Sequence, residues 1–311
     1  MKKFIHKITN ISLILIFVLA VGGCANNGSA PSPEPAEKQA SQAAAVKEKA
    51  VIDNFNALRQ KAEVTVPEII EYIDGNMAAV SQAGAATMII GLEAVQKEKL
   101  PKLQDKFGDN EAVQKVLAKS YKNGLTSQAI SNIENKEVRD LLLETQSSGF
   151  KIETAEGMYF PVIDYAFYNK YRNAVAQDIV AYIDIMTVES DKTPVKDAAL
   201  MISWSEIIKR AKTQEQFIKD YANSAKIEDM RQLLKRYSVF ALYGANNTPL
   251  FSYDTKQMVP EARKTYSETV FDANSGSFSK VMNGFLAELK KNEYKLTAEI
   301  QEYRNKAAGE I

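Results

Sequence analysis

The series Thr65-Val66-Pro67-Glu68 constrains this chain more than any other short stretch. A threonine with a glutamate three places on has the spacing of a capping box, and a proline in the first turn removes only an N–H that a helix leaves unpaired. A helix therefore starts here. Ile73, Met77, Val80, Gly84, Thr87, Gly91 and Ala94 then step by four and three, which puts them on one face. Each glycine costs a helix about 1 kcal/mol relative to alanine, so two on one stripe imply a close approach by another backbone. Pro101 and then Gly108 end the helical region. Similar periodicity fills the rest of the chain and predicts an all-α fold. This is a multi-helix bundle, either one elongated body or two packed helical lobes.

A first helical lobe is expected over residues 46–148. Val51, Phe55 and Leu58 share a face, and shorter helices follow at 109–121, 126–133 and 137–146, with stops at Asn123-Gly124 and Ser148-Gly149. The stretch 147–157 reads as the junction. Lys151-Ile152-Glu153-Thr154 within it has an extended look, but nothing nearby predicts a sheet. A second, aromatic-rich helical lobe is expected over 149–311. Its helices are read at 174–186, at Thr193-Pro194 through Trp204, from a cap at Thr213 and Gln216, and over Ile227 to Ala241 with a stop at Gly244. Another follows from Pro260 to Phe271. A long helix from Ser277 to Arg304, interrupted at Asn292, is placed to pair with the glycine stripe or to present a coiled-coil face.

The amino-terminal segment carries a different signal. Met1-Lys2-Lys3-Phe4-Ile5-His6-Lys7 is a basic leader, Ile11 to Val21 is apolar, and Val21-Gly22-Gly23-Cys24 closes the run on the only cysteine. This resembles the signal peptide and lipobox of bacterial lipoproteins. The resemblance, confined to residues 1–24, implies that a leader of residues 1–23 is removed and that Cys24 becomes a lipid attachment point. The protein would then sit on the outer face of the cell membrane, held in the bilayer by acyl chains worth about 0.8 kcal/mol per buried CH2. The apolar run from Ile8 to Gly23 is 16 residues, shorter than the roughly 20 that span a bilayer, which favours a cleaved leader over an anchor helix. A long basic leader and many lysines lean toward a Gram-positive source. Residues 24–45, with Pro31-Ser32-Pro33-Glu34-Pro35, read as a flexible tether of roughly 25 Å.

Removal of the leader takes His6, the only histidine, and lipidation consumes the only thiol. That excludes His/Cys zinc sites, histidine-based triads, redox dithiols and disulfides. No metal is expected, and with no phosphate loop, dinucleotide fingerprint or calcium loop, no cofactor either. Lys2, Lys3 and Lys7 also leave, so 36 of the 39 basic residues remain against 39 acidic ones, a balance that predicts no nucleic-acid partner.

Between Tyr159 and Tyr182 lie seven aromatics where average composition gives about two. Tyr159, Asp164, Tyr165, Tyr168 and Tyr171 are candidates to line a groove for a sugar polymer or peptide, because tyrosine joins a flat apolar face to a hydroxyl. A helix opening at Pro161 would put Asp164, Tyr168 and Tyr171 on one side. Tyr237, Phe240, Tyr243, Phe251 and Tyr253 form a second cluster, Trp204 lies between the two, and Asn246-Asn247-Thr248 would rim the surface if they meet. The competing reading is an aromatic core with hydroxyls reaching its boundary.

For catalysis only a carboxylate pair remains, drawn from Glu156, Asp164, Glu189, Asp191 and Asp197. Ser277-Phe278-Ser279-Lys280 matches a Ser-x-x-Lys spacing, but its companion motifs are missing and it reads as a helix start. The expected function is therefore non-catalytic binding or scaffolding of a cell-envelope partner, protein or glycan, by a membrane-anchored extracytoplasmic lipoprotein. The first alternative is a carboxylate-based hydrolase of envelope glycan. A second is the solute-binding lipoprotein of an importer, against which the lack of strand-helix alternation counts.

Overall fold

The computed structural model describes residues 36–122 and 124–309. The leader, Cys24, the first part of the expected tether and the Asn123 stop lie outside them. The chain divides into two compact units, Met1–Ala43 and Ala44–Ile311. Helix α1 spans Ala36–Arg59, so helical structure begins well before Val46. Ala36-Glu37-Lys38-Gln39-Ala40 consists of strong helix formers, and this intrinsic preference decides the start where the tether reading weighed only lack of hydrophobicity.

Within the second unit, α2 (Val66–Asn76) carries the capping box: Glu68 N donates to Thr65 Oγ1 at 3.4 Å and Thr65 N donates to Glu68 Oε2 at 2.8 Å. The stripe beyond it is not one helix. A 3-10 turn at Met77–Ala79 intervenes, and α3 (Gln82–Gly108) restarts under Ser81, whose hydroxyl accepts from Gly84 N at 3.2 Å. Helix α3 also runs through Pro101 rather than ending there. The close approach on the glycine stripe is made by α1: a Cβ on Gly91 would lie 2.5 Å from Phe55 Cε1. The expected pairing with the carboxy-terminal helix is thus replaced by a local one.

Helices α4 (Glu111–Ser120), α5 (Ser127–Ser131) and α6 (Lys136–Ser147) follow closely the spacing read from sequence. The extended piece then finds a partner. Strands β1 (Phe150–Ala155) and β2 (Met158–Ile163) pair antiparallel around Glu156-Gly157, whose φ values of 50° and 77° suit a two-residue hairpin turn. Pro161 is therefore a strand residue facing Ile152, not a helix start, and a proline is tolerated where every strand is an edge. A 3-10 segment, Tyr165–Ala174, leads into α7 (Gln177–Asp191).

Thr193-Pro194 introduces a second hairpin, β3 (Val195–Lys196) with β4 (Ala199–Leu200), and α8 (Trp204–Asp220) begins only at Ser203, which accepts from Glu206 N. Thr213 and Gln216 are interior to α8 and cap nothing. Helix α9 (Ile227–Tyr243) stops at Gly244, whose φ of 78° a side chain would resist, and β5 (Gly244–Ala245) pairs with β6 (Thr248–Pro249). Helix α10 is Pro260–Glu268. The expected long helix is two, α11 (Ser277–Lys291) and α12 (Ala298–Ala307), broken where Asn292 ends the first. The fold is mainly α, with three two-stranded hairpins among the described residues.

One hydrophobic core runs from Val51 through the aromatic segment to Ala307, and a smaller one gathers Phe107, Val113, Leu117, Ile130, Val138, Leu142 and Ile152. The smaller core is flanked in sequence by the larger on both sides, so the cores do not part at 148 and 149. Among the described residues no helix is long and apolar enough to cross a membrane.

Candidate binding groove

Helices α7 and α8 enclose an open groove of about 720 Å³. Its floor is apolar because Ile185, Ile208 and Phe217 point inward and are 8%, 3% and 3% exposed. Its rim is a row of exposed polar side chains on α8: Ser205, Lys209, Thr213, Gln216 and Asp220. Steps of three and four set this row, one side chain per helical turn. Tyr221 stands half-buried at one end, its ring tilted on Phe217 with centroids 5.1 Å apart. The charges along the groove are largely answered. Asp184 is held bidentately by Arg172, Lys209 lies 3.7 Å from Glu206, Lys212 Nζ donates to Val270 O at 2.7 Å, and Gln216 Nε2 donates to Asp220 Oδ1 at 2.7 Å.

At its other end the groove leads into a recess of about 160 Å³ that shares Asp184, Ile185, Lys209 and Thr213 with it. This recess is walled by Glu189, Glu206 and Arg210. Arg210 bridges the two acids, with Nε 2.9 Å from Glu206 Oε1 and Nη1 3.3 Å from Glu189 Oε1, and it also donates to Lys192 O at 2.9 Å. Tyr237 on α9 donates to Glu189 Oε1 at 2.6 Å. Burial pushes the Glu189 carboxyl above the ordinary carboxylate range, and Tyr237 and Arg210 only partly offset it. The hydrogen bond from Arg210 holds Glu206 below that range. Of the acids singled out from sequence, Glu189 alone lines this recess, while Asp164 lies 3.7 Å from Lys151. Asp191 pairs with Lys151 at 2.6 Å, while Glu156 and Asp197 occupy hairpin turns with φ of 50°.

The sequence-derived tyrosines lie elsewhere, around Glu93 of α3. Glu93 Oε1 accepts from the hydroxyls of Tyr165 and Tyr182 at 2.6 Å each and lies 2.7 Å from Lys97 Nζ, while Oε2 lies 2.5 Å from Lys226 Nζ. Asp229 takes a further contact from Lys226 at 2.7 Å. Burial would raise the Glu93 carboxyl, but the Lys226 charge and the donors from Lys226, Lys97 and Tyr165 more than reverse this and leave it at about 2. Next to it, Tyr168 donates to Gln96 Oε1, and Gln96 Nε2 donates to Ser148 O at 2.7 Å.

Tyr165, Tyr168, Tyr171 and Trp204 are 6%, 1%, 4% and 4% exposed, so they are core and line no open groove. Tyr171 donates to Asp74 Oδ1 at 2.8 Å, and Trp204 meets Tyr266 edge-on at 6.3 Å. Tyr159 is half-buried against Tyr121 over the smaller core. Asp164 caps the 3-10 segment through Ala166 N at 3.1 Å. Tyr243 is half-buried under the Arg304 guanidinium, 4.6 Å from its ring. The turn at Asn246 and Asn247 packs on the neighbouring hairpin, with Asn247 N and Nδ2 donating to Ala198 O at 2.8 Å and Asp197 O at 2.7 Å. The reason is polar satisfaction: the hydroxyls of Tyr165, Tyr168 and Tyr171 each find an acceptor on α2 or α3, with Glu93 and Gln96 buried and Asp74 at the surface, so the rings can be sealed without loss.

Sequence reasoning passed over Glu93, Gln96, Lys226, Arg210 and the α8 row. Two signals were present: polar residues inside the apolar run of α3, and Ser203 with Glu206 at cap spacing ahead of a polar stripe. Among the described residues no group of acidic side chains is arranged to hold a metal ion. Comparison with family models, curated proteins and solved structures finds no match to this chain, so the role of the groove rests on its own chemistry.

Proposed function

We propose that this chain is a lipoprotein anchored through acylated Cys24 on the outer face of a bacterial cell membrane, where it binds a cell-envelope partner without catalysis. Its α7–α8 groove is the binding surface. The observation that carries this reading is the groove itself: about 720 Å³ of open concavity with an apolar floor and one exposed polar side chain per turn along its rim. The lipobox series at Val21 to Cys24 supplies the location, and the absence of histidine and thiol from the sequence after Cys24 supports the non-catalytic part.

The hydrolase alternative needs two carboxylates with a glycosidic bond between them. Glu189 and Glu206 wall one recess, but the Arg210 guanidinium bridges them and takes up that position, and with Tyr237 they make a clamp between α7, α8 and α9. An importer's solute receptor is disfavoured by the mainly helical fold.

Two measurements test the reading. Mass spectrometry of the native protein should find a lipid thioether on Cys24, and an intact Met1 or an unmodified thiol would remove the anchor. Purified full chain should co-sediment with cell envelopes extracted with detergent, which hold no bilayer to retain its acyl chains, and the exposed substitution Thr213→Trp, which fills the groove, should abolish this. Equal sedimentation of both forms would rule the groove out.

A further inference from the structure

Resting on that reading of the groove, we infer that its occupant is a neutral glycan chain of pyranose units, with one sugar stacked on Tyr221 and its neighbours hydrogen-bonded along the α8 row. Three features of the groove separate this ligand from the other polymers of an envelope.

The first is charge. The groove is lined by Asp184, Asp220, Lys209 and Lys212, two of each sign, and the partners just outside it, Arg172 on Asp184 and Glu206 at 3.7 Å from Lys209, add one more of each. A polyanion would find no net attraction here. The second is the form of the walls. The two long walls are helices whose backbone groups already serve their own hydrogen bonds, and neither Tyr221, which caps α8, nor Thr269, the other lining residue outside them, belongs to a strand, so an extended peptide finds no strand edge to pair with. An amphipathic helix fares no better, because the floor residues Ile185, Ile208 and Phe217 are already at least nine-tenths covered and leave little apolar surface to bury.

The third is the polar row. Ser205, Lys209, Thr213, Gln216 and Asp220 recur once per turn, a pitch of about 5.4 Å. This is close to the length of one pyranose in an extended 4-linked chain, so successive sugars meet successive side chains. The row also has unused capacity. Gln216 gives its amide N–H to Asp220 Oδ1, which leaves Gln216 Oε1 and Asp220 Oδ2 as acceptors for adjacent sugar hydroxyls. The Tyr221 hydroxyl makes no hydrogen bond among the described residues, and its half-buried ring is fixed by Phe217. A flat apolar face with a polar tip suits a ligand whose rings have apolar faces and hydroxylated edges. No covalent step is involved.

The test uses the full chain and calorimetric titration with chitohexaose, cellohexaose and, as the charged comparison, oligogalacturonate. At least one neutral oligosaccharide should bind more tightly than oligogalacturonate. Tyr221→Ala should weaken that binding roughly tenfold, as expected for an aromatic anchor, while Tyr221→Phe retains most of it. Because Tyr221 is half-buried, the exposed Gln216→Ala provides a second variant, and it should weaken binding about threefold with an unchanged melting temperature. Failure of both neutral sugars to bind, preference for oligogalacturonate, or indifference to Tyr221→Ala and Gln216→Ala together would overturn the inference. If Thr213→Trp still abolishes envelope sedimentation while no sugar binds, the groove stands and the glycan falls. If Thr213→Trp changes nothing, both fall.

Discussion

Glu93 and Glu189 are both taken almost wholly out of water, with side chains 3% and 10% exposed, yet their acidities move in opposite directions. Desolvation raises each. Around Glu93 it is overcome by two ammonium groups and two tyrosine hydroxyls, so the carboxylate is held charged with a pKa of about 2. Around Glu189 the donors are one tyrosine and one guanidinium, and that guanidinium is shared with Glu206. The number of donors each acid commands, more than the depth of burial, sets the sign. One cluster is a sealed knot that ties α3 to the 3-10 segment, α7 and the start of α9. The other is a looser clamp beside an open recess.

The largest effect that would break this comparison is loss of Lys226. Removing one partner of a buried pair leaves an uncompensated charge and costs roughly 3–5 kcal/mol. Lys226→Met should lower the unfolding free energy in urea by about that much, and adding Glu93→Gln should recover part of it, since the amide carries no charge to solvate yet still offers the Tyr165 and Tyr182 hydroxyls an acceptor. A cost for the single variant below about 1 kcal/mol would mean that Lys97 and the tyrosines suffice, and that the knot does not depend on Lys226.

A smaller effect appears in acid. The Glu93 pKa is depressed in the folded chain, so its stabilisation is complete above the ordinary value of 4.5 and is lost as pH falls through about 2. The size over that window is roughly 3 kcal/mol. Glu93→Gln should remove this part of the acid dependence, and unfolding free energies of both forms at several pH values between 5 and 2 read it directly. Parallel curves would show that other carboxylates carry the acid transition.

Elements fixed by neighbouring residues were legible in the sequence. The capping box at Thr65 and the stop at Gly244 are local, and both stand where the residues put them. The hairpins were not legible, because β3 to β6 have two residues each and no alternation can be read from two. Two prolines misled for the same reason: Pro161 and Pro194 suit a helix start, a strand edge and a turn alike, and only their partners decide. The aromatic segment showed that something unusual happens near Tyr165, but whether rings face water depends on acceptors far off in sequence. Glu93 is 72 residues from Tyr165 and 89 from Tyr182. The groove was invisible for the opposite reason. A row such as Ser205, Lys209, Thr213, Gln216 and Asp220 is what any solvated helix face presents, and only α7 beside it makes a concavity.

The smallest effect sharpens the comparison most, because its sign is reversed. Glu189 has its folded pKa above the unfolded one, so the native state holds the proton more tightly and stability falls as pH rises from the ordinary carboxylate range through the raised value. Above that value the full cost of a charged, under-compensated carboxylate is present. Glu189→Gln keeps the shape and removes the charge, so at neutral pH it should change stability by no more than about 1 kcal/mol, a small value for a residue this deeply placed. Relative to wild type, its stability should improve as pH is raised from 4 to 8, whereas Glu93→Gln should grow relatively worse as pH is raised from 2 to 5. Thermal melts of the two variants across those ranges provide the reading. If both slopes have the same sign, donor count does not explain the two acids, and the distinction between knot and clamp is lost.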